Sequence, residues 1–174
     1  MHFELLVLEG AQAGLSWLTI LKRREGYRRV FAEFAPDLVA QFDSKRVDEI
    51  LTDPRVIRHR GKIESAVANA NALLRVRREF GSFDDYVWNF VGGAPIVNRW
   101  NDPAQVPTTT PLAKSLSSDL RRREFRFIGG TTCYSYLQAA GLVCDHLTSC
   151  FRFHELSDQI GAHGGSQQGE HLAS

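Results

Sequence analysis

Apolar residues recur at helical spacing along most of this chain, and the two-residue alternation of a half-buried strand is nearly absent. Over residues 2–13, Phe3, Leu5, Leu6 and Leu8 form a stripe that ends near Gly14. Residues 16–34 predict a second helix, with Ser16 placed to cap it and Trp17, Ile20, Leu21, Tyr27, Val30 and Phe31 on its buried side. Pro36 and then Ser44 begin two short helices, the second carrying Val47, Ile50 and Leu51. Asp53-Pro54 reads as a further helix start, a capping side chain followed by a residue whose missing N–H costs nothing there. A long helix spans residues 61–80 and stops at Gly81; Ser82 opens another through Val91, with Phe83, Tyr86, Val87 and Phe90 inward. Thr110-Pro111 starts a helix to about Arg123. A compact connection at Phe125–Gly130 leads to a helix over Thr131–Val143, and Asp145 begins a last short one.

Between these segments, residues 92–110 hold three prolines and two glycines and no helical repeat, the pattern of a surface loop. After Glu155 the chain becomes rich in Gly, Ser and Gln and poor in apolar residues, so 156–174 is expected to be a disordered tail. The expectation is an all-α fold, a compact helical globule forming a single domain over residues 1–155. A chain of 174 residues with 43% hydrophobic content can bury such a core. Twenty-one Lys and Arg against twenty Asp and Glu give +1, so a nucleic-acid partner has to be met by a local patch. Three cysteines are too few for a disulfide scaffold and point to a reducing compartment. The first residues lack a basic leader and are interrupted by Glu4 and Glu9, which fits neither a signal peptide nor a membrane span. A cytoplasmic monomer is the expectation.

Four stretches carry candidate chemistry. The first is the helix, R-R-E-F-R-F-I-G-G, helix segment over 111–143. Gly129-Gly130 lead into Thr131-Thr132 at a helix N-terminus, where backbone N–H groups lack partners and the dipole favours an anion, with Arg121, Arg122, Arg123 and Arg126 around it. A DNA phosphate suits that geometry; an ordinary helix–helix turn with solvated charges is the plainer reading. The second is R-V-I-R-H-R-G-K at 55–62, cations that could follow a phosphate backbone or simply be a solvated helix end. The third is L-E-G-A-Q-A-G-L-S-W. Glu9 sits among apolar neighbours where a carboxylate is costly to bury, and Trp17 follows the Gly14 break. An acid and an indole on one cavity suit a flat, electron-poor ring, whereas each taken alone reads as an exposed helix residue and a core aromatic. The fourth is D-H-L-T-S-C, with His146 and Cys150 four apart on one helical face: half of a tetrahedral zinc clamp, and by spacing alone not a metal site.

Taken together, FELLVLEGAQAGLSW, LKRREGYRRVF, IRHRGKI, FDDYVWNFV and FRFIGGTTCYSYLQAAGLVCDHLTSC resemble the DNA-3-methyladenine glycosylase I family, of the helix-hairpin-helix DNA glycosylases. The resemblance implies a monofunctional base-excision enzyme that flips an alkylated adenine out of double-stranded DNA and hydrolyses its bond to the sugar. It implies Glu9 as the catalytic acid residue and Trp17, Tyr134 and Ser135 in the base pocket. It places Gly14 and Leu15 at the gap left by the flipped nucleotide. Arg126, Gly129, Gly130 and Thr131 are then in a hairpin that grips phosphates, and His146 and Cys150 are half of a structural zinc site. Gly130 stands where a bulkier residue is expected. In the family, a leading segment supplies a Cys and a His as the other zinc ligands, with aromatic pocket residues, whereas this sequence starts inside the first matched helix. The expectation is therefore poor zinc binding and low activity. The alternatives are a non-catalytic DNA-binding relative and, more remotely, a helical protein–protein scaffold.

Overall fold

The stripe at the start of the chain becomes helix α1 (His2–Gln12), and it is enclosed on more sides than a stripe requires: Phe3, Leu6, Val7, Leu8, Gly10 and Ala11 are all buried. The computed structural model describes residues 1–164, with side chains to residue 157. Around α1 lie α2 (Trp17–Leu21), α6 (Arg60–Phe80) and α9 (Gly130–Ala139), all packed against it. α3 (Arg24–Val30) follows α2. α4 (Pro36–Val39), α5 (Ser44–Thr52) and α7 (Phe83–Trp88) pack on the long α6, and α8 (Pro111–Arg122) packs on α9. The last helix is α10 (Phe151–Gly164). The fold is all-α, as the periodicity predicts. No described helix is long and apolar enough to cross a membrane.

The caps read from the sequence explain most starts. Ser16 accepts from the Thr19 N–H, Ser82 from Asp85 and Thr110 from Ala113. α1 is fixed at its first turn by His2, whose ring bonds the Tyr136 hydroxyl at 2.7 Å and Asp84 at 2.6 Å, so α1, α7 and α9 meet there. Gly81 ends α6 and Gly14 turns the chain after α1, both at a positive φ that a side chain resists.

Five expectations are corrected. The helix expected over 16–34 is broken into α2, α3 and a 3-10 turn at Ala32–Phe34. The break between α2 and α3 falls at Lys22-Arg23, in a polar run with nothing to bury. Asp53-Pro54 starts no helix: the Asp53 carboxylate is taken by the Arg55 backbone N–H and guanidinium, and α6 begins instead behind His59, whose ring accepts from the Lys62 N–H. The 92–110 segment is more than a loop, because Ile96–Val97 pairs in parallel with Val143–Cys144 and Trp100 bridges to Leu147. That pairing explains the fourth correction: α9 ends at Ala139, Gly141 turns the chain at φ +79°, and Val143 and Cys144 are strand residues. Finally, residues 145–150 are not helical, and α10 starts at Phe151 and runs past Glu155. The expected tail beyond Gly164 lies outside the described residues.

Candidate active site

The turn between α8 and α9, residues 123–129, is built by residues far from it in sequence. Asn69 of α6 accepts from the Arg126 N–H at 2.7 Å and donates to the Arg126 carbonyl at 3.0 Å. Ser117 of α8 donates to the Ile128 carbonyl at 2.6 Å, and the Cys133 thiol reaches the same oxygen at 3.4 Å. Burial pushes that thiol up to about 12, so it stays a neutral donor. Between these clamps Phe127 holds a left-handed backbone, φ +54°, with its side chain 37% exposed. α9 then begins behind Gly129, which has no side chain to cap it, so the first-turn amides of the helix carry no side-chain cap. Gly130 fits this place as it stands: a Cβ there would come within 2.9 Å of the Thr109 hydroxyl, which makes a bulkier residue the tighter choice.

The arginines expected around this helix start divide into two groups. Arg123 is held by Glu79 and Asp119 and lies over the rings of Phe80 and Tyr86, and Arg122 is paired with Asp119. Asp119 is a structural hub: burial pushes its carboxyl up, but Arg122, the Tyr86 hydroxyl and Arg123 outweigh that and hold it at about 2. Arg121 and Arg126 have no ion-pair partner among the described residues, and the Arg121 guanidinium lies beside Gly129. The second basic stretch is largely neutralised too. Arg55 is paired with Asp53, Arg60 with Asp48, and Lys62 donates to the carbonyls of Ala11 and Ala13 at the end of α1. Of the arginines in these two stretches, Arg58, Arg121 and Arg126 are the ones without an ion pair among the described residues.

Glu9 is 4% exposed in α1, so the reading of it as an exposed helix residue is set aside. Burial alone raises its carboxyl from 4.5 to about 7, with no hydrogen-bond or ion-pair partner among the described residues. The next residue, Gly10, faces the hairpin turn: a Cβ at Gly10 would stand 3.4 Å from the Phe127 Cβ. Phe127 in turn meets the His59 ring edge-on at 6.1 Å. Trp17 opens α2 with its side chain 37% exposed, so it is not a core aromatic. The Gly14 turn folds α2 back onto α1, and Leu15 is exposed on that turn. The acid-bearing helix, the indole-bearing helix, the Gly14-Leu15 turn and the hairpin are therefore neighbours.

A second centre forms on the far end of α9. Asp145 accepts from Asn98 at 2.8 Å, Trp100 at 2.7 Å, Gln138 at 2.7 Å and the Tyr134 hydroxyl. Burial pushes this carboxyl up, and the four donors outweigh it and keep it below the usual range. Tyr134 is buried with its hydroxyl spent on Asp145, which departs from a residue aimed at a base; Ser135 is half-buried, and Thr131 is exposed. A cleft of about 250 Å³ lined by Gln138, Asp145, His146 and Leu156 lies here. His146 and Cys150 are brought together, Nδ1 to Sγ 3.9 Å, by an irregular segment rather than a helical face. Two ligands at that separation suit adjacent corners of a tetrahedral ion. Among the described residues no third His, Cys, Asp or Glu joins them, so the residues present do not by themselves complete a zinc site.

Asn69, Ser117 and Phe127 were not candidates on sequence, and Lys62 was one only as a cation of the 55–62 stretch. The only signal for Asn69 was a polar residue on the Ile63, Ala66, Ala70, Leu73 face of α6. The chain matches the family model described as methyladenine glycosylase over residues 1–153. It is 47% identical over 148 residues to the DNA-3-methyladenine glycosylase of Haemophilus influenzae, covering 85% of this chain and 80% of that one. It is 45% identical over 148 residues to DNA-3-methyladenine glycosylase 1 of Escherichia coli strain K12, covering 85% and 79%. Among solved structures it is similar to a crystal structure of 3-methyladenine DNA glycosylase I, with a TM-score of 0.84, 45% identity and coverage of 86% and 82%. A variant of 3-methyladenine DNA glycosylase I in complex with 3-methyladenine superposes with a TM-score of 0.85, at 39% identity and coverage of 86% and 81%.

Proposed function

The chain belongs to the methyladenine glycosylase family, and from that membership we infer that it is a DNA base-excision repair enzyme, an N-glycosylase that releases 3-methyladenine from alkylated DNA. The observation that carries this reading is Glu9: a carboxylate buried without a described partner, in the helix that meets the hairpin turn. A buried acid left unpaired is a cost to the fold that a cationic ligand removes. N3-alkylated adenine in DNA is such a ligand.

The chemistry asks little of the protein beyond recognition. The alkylated base already carries a positive charge, so it leaves as neutral 3-methyladenine, taking the electrons of the glycosidic bond. Water then adds to the sugar carbon and loses a proton. We assign Glu9 to compensating the charge of the bound base and Trp17 to stacking on it. Tyr134 contacts a base only through its ring, its hydroxyl being committed to Asp145, and Ser135 is retained as a pocket residue. Gly14 and Leu15 approach the gap in the duplex, while Arg126, Gly129, Gly130 and Thr131 hold phosphates as a helix-hairpin-helix element. Lys62 spends its ammonium on two carbonyls, which fits hydrolysis rather than a Schiff-base lyase step.

His146 and Cys150 are proposed as two ligands of a structural zinc ion, and no step is routed through it. The protein acts on double-stranded DNA as a cytoplasmic monomer in this reading. The test is release of free 3-methyladenine from a methylated duplex by the 174-residue chain, alongside its Glu9→Gln and Trp17→Ala variants. Release by the parent and loss in both variants is expected. Salt-sensitive DNA binding with no release favours the binding-only alternative instead.

A further inference from the structure

Asn69 lies mid-way along α6, 2% exposed, on a face otherwise made of Ile63, Ala66, Ala70 and Leu73. Asparagine is a poor choice for a buried helix interior, where an apolar residue of similar size packs without the cost of desolvating an amide. What the amide does there is specific. Its oxygen accepts from the Arg126 N–H and its NH₂ donates to the Arg126 carbonyl, so one side chain satisfies both polar groups of a single residue 57 positions away. No other described group bonds either of them.

We propose that Asn69 is the positioning residue that sets the shape of the hairpin turn. The turn does not hold that shape by its own preference, since Phe127 sits at φ +54°, a region that a side chain branching into an aromatic ring resists. A strained residue persists only where its neighbours over-determine it. Asn69 fixes the residue before Phe127, and Ser117 with Cys133 fixes the carbonyl after it. Releasing the Arg126 end lets residues 126 and 127 leave the arrangement that leads the chain into the start of α9 at Gly129-Gly130, which has no side-chain cap. Asn69 touches no substrate in this scheme; it acts through the turn. The inference rests on the reading of that turn as the DNA grip.

The experiment uses the full chain, with DNA affinity measured on a methylated duplex and base affinity on free 3-methyladenine. Asn69→Ala is expected to lose about tenfold in DNA affinity, the scale of one buried hydrogen-bond pair, with base affinity unchanged. Asn69→Asp gives a readout that loss of packing does not move. At pH 8 its carboxylate accepts from the Arg126 N–H but has no proton for the carbonyl. At pH 5 the buried acid regains a proton, and with it the missing donor, so its deficit relative to the parent closes. A deficit equal at both pH values, no deficit at either, or equal loss of DNA and free-base affinity in Asn69→Ala overturns the inference. Should Asn69→Ala not fold, the two pH values of Asn69→Asp decide alone. Arg126→Ala is the control: if it binds DNA as the parent does, the DNA-grip reading itself fails, and the two failures are told apart.

Discussion

The ammonium of Lys62 closes the end of the first helix, 2.6 Å from the carbonyl of Ala13 and 2.8 Å from that of Ala11. Those carbonyls are among the groups a helix leaves without internal partners, and a cation there also meets the negative end of the dipole. One side chain from α6 thus holds the turn at Gly14-Leu15 against the rest of the fold. Lys62→Met keeps the aliphatic stem and removes the donors, and is expected to cost roughly 1–2 kcal/mol in urea unfolding. It is also expected to weaken binding to damaged DNA more than binding to free base, because the turn and not the pocket loses its anchor.

Glu9 makes stability depend on pH in a direction opposite to an ordinary ion-paired acid. Its carboxyl titrates at about 7 in the folded protein against 4.5 as the reference value. Between those values the folded state keeps a proton that the unfolded chain has lost. The associated stability is full below pH 4.5 and declines as pH rises to about 7, by roughly 1–2 kcal/mol after allowing for solvent near the group. Glu9→Gln removes the decline. Denaturant titrations at pH 5 and pH 8 are expected to show the variant gaining on the parent only at the higher pH, while base release is lost at both.

Arg126 and Arg122 stand near the same turn and are expected to behave differently. Arg126 has no ion-pair partner among the described residues, whereas Arg122 is engaged by Asp119. Arg126→Ala should weaken DNA binding several-fold and lower the slope of log affinity against log salt by about 1, with Arg122→Ala leaving the slope nearly unchanged. Binding isotherms at a series of salt concentrations separate them.

Tyr134→Phe distinguishes a structural hydroxyl from a substrate contact. The change removes one of four donors to Asp145 and leaves the ring in place. A loss of about 1–2 kcal/mol in stability is expected, with the single-turnover rate of base release close to the parent's. A large fall in that rate at unchanged stability would place the hydroxyl on the substrate instead.

Much of the site was legible in sequence because its residues are ones that chemistry restricts. An acid within an apolar helix, an indole after a glycine break and a glycine pair at a helix start are each unusual enough to be noticed, and the family resemblance drew them together. Side chains whose role is to bond backbone far away carry no such mark. Asn69 looked like any helical asparagine, and Lys62 looked like one more cation in a basic run.

By itself the sequence determined the all-α class and most helix starts, since helical periodicity and caps act within a few residues of where they are written, while the base-pocket role of Glu9 came from the family resemblance. Only the tertiary structure decided which charges remain available, where the last strand pairing replaces helix, and what fixes the hairpin turn. Glu79 takes up Arg123, Val143–Cys144 leave α9 to pair with Ile96–Val97, and Asn69 reaches Arg126. All three join residues 44 or more positions apart in the chain, so each depends on packing that no local pattern encodes.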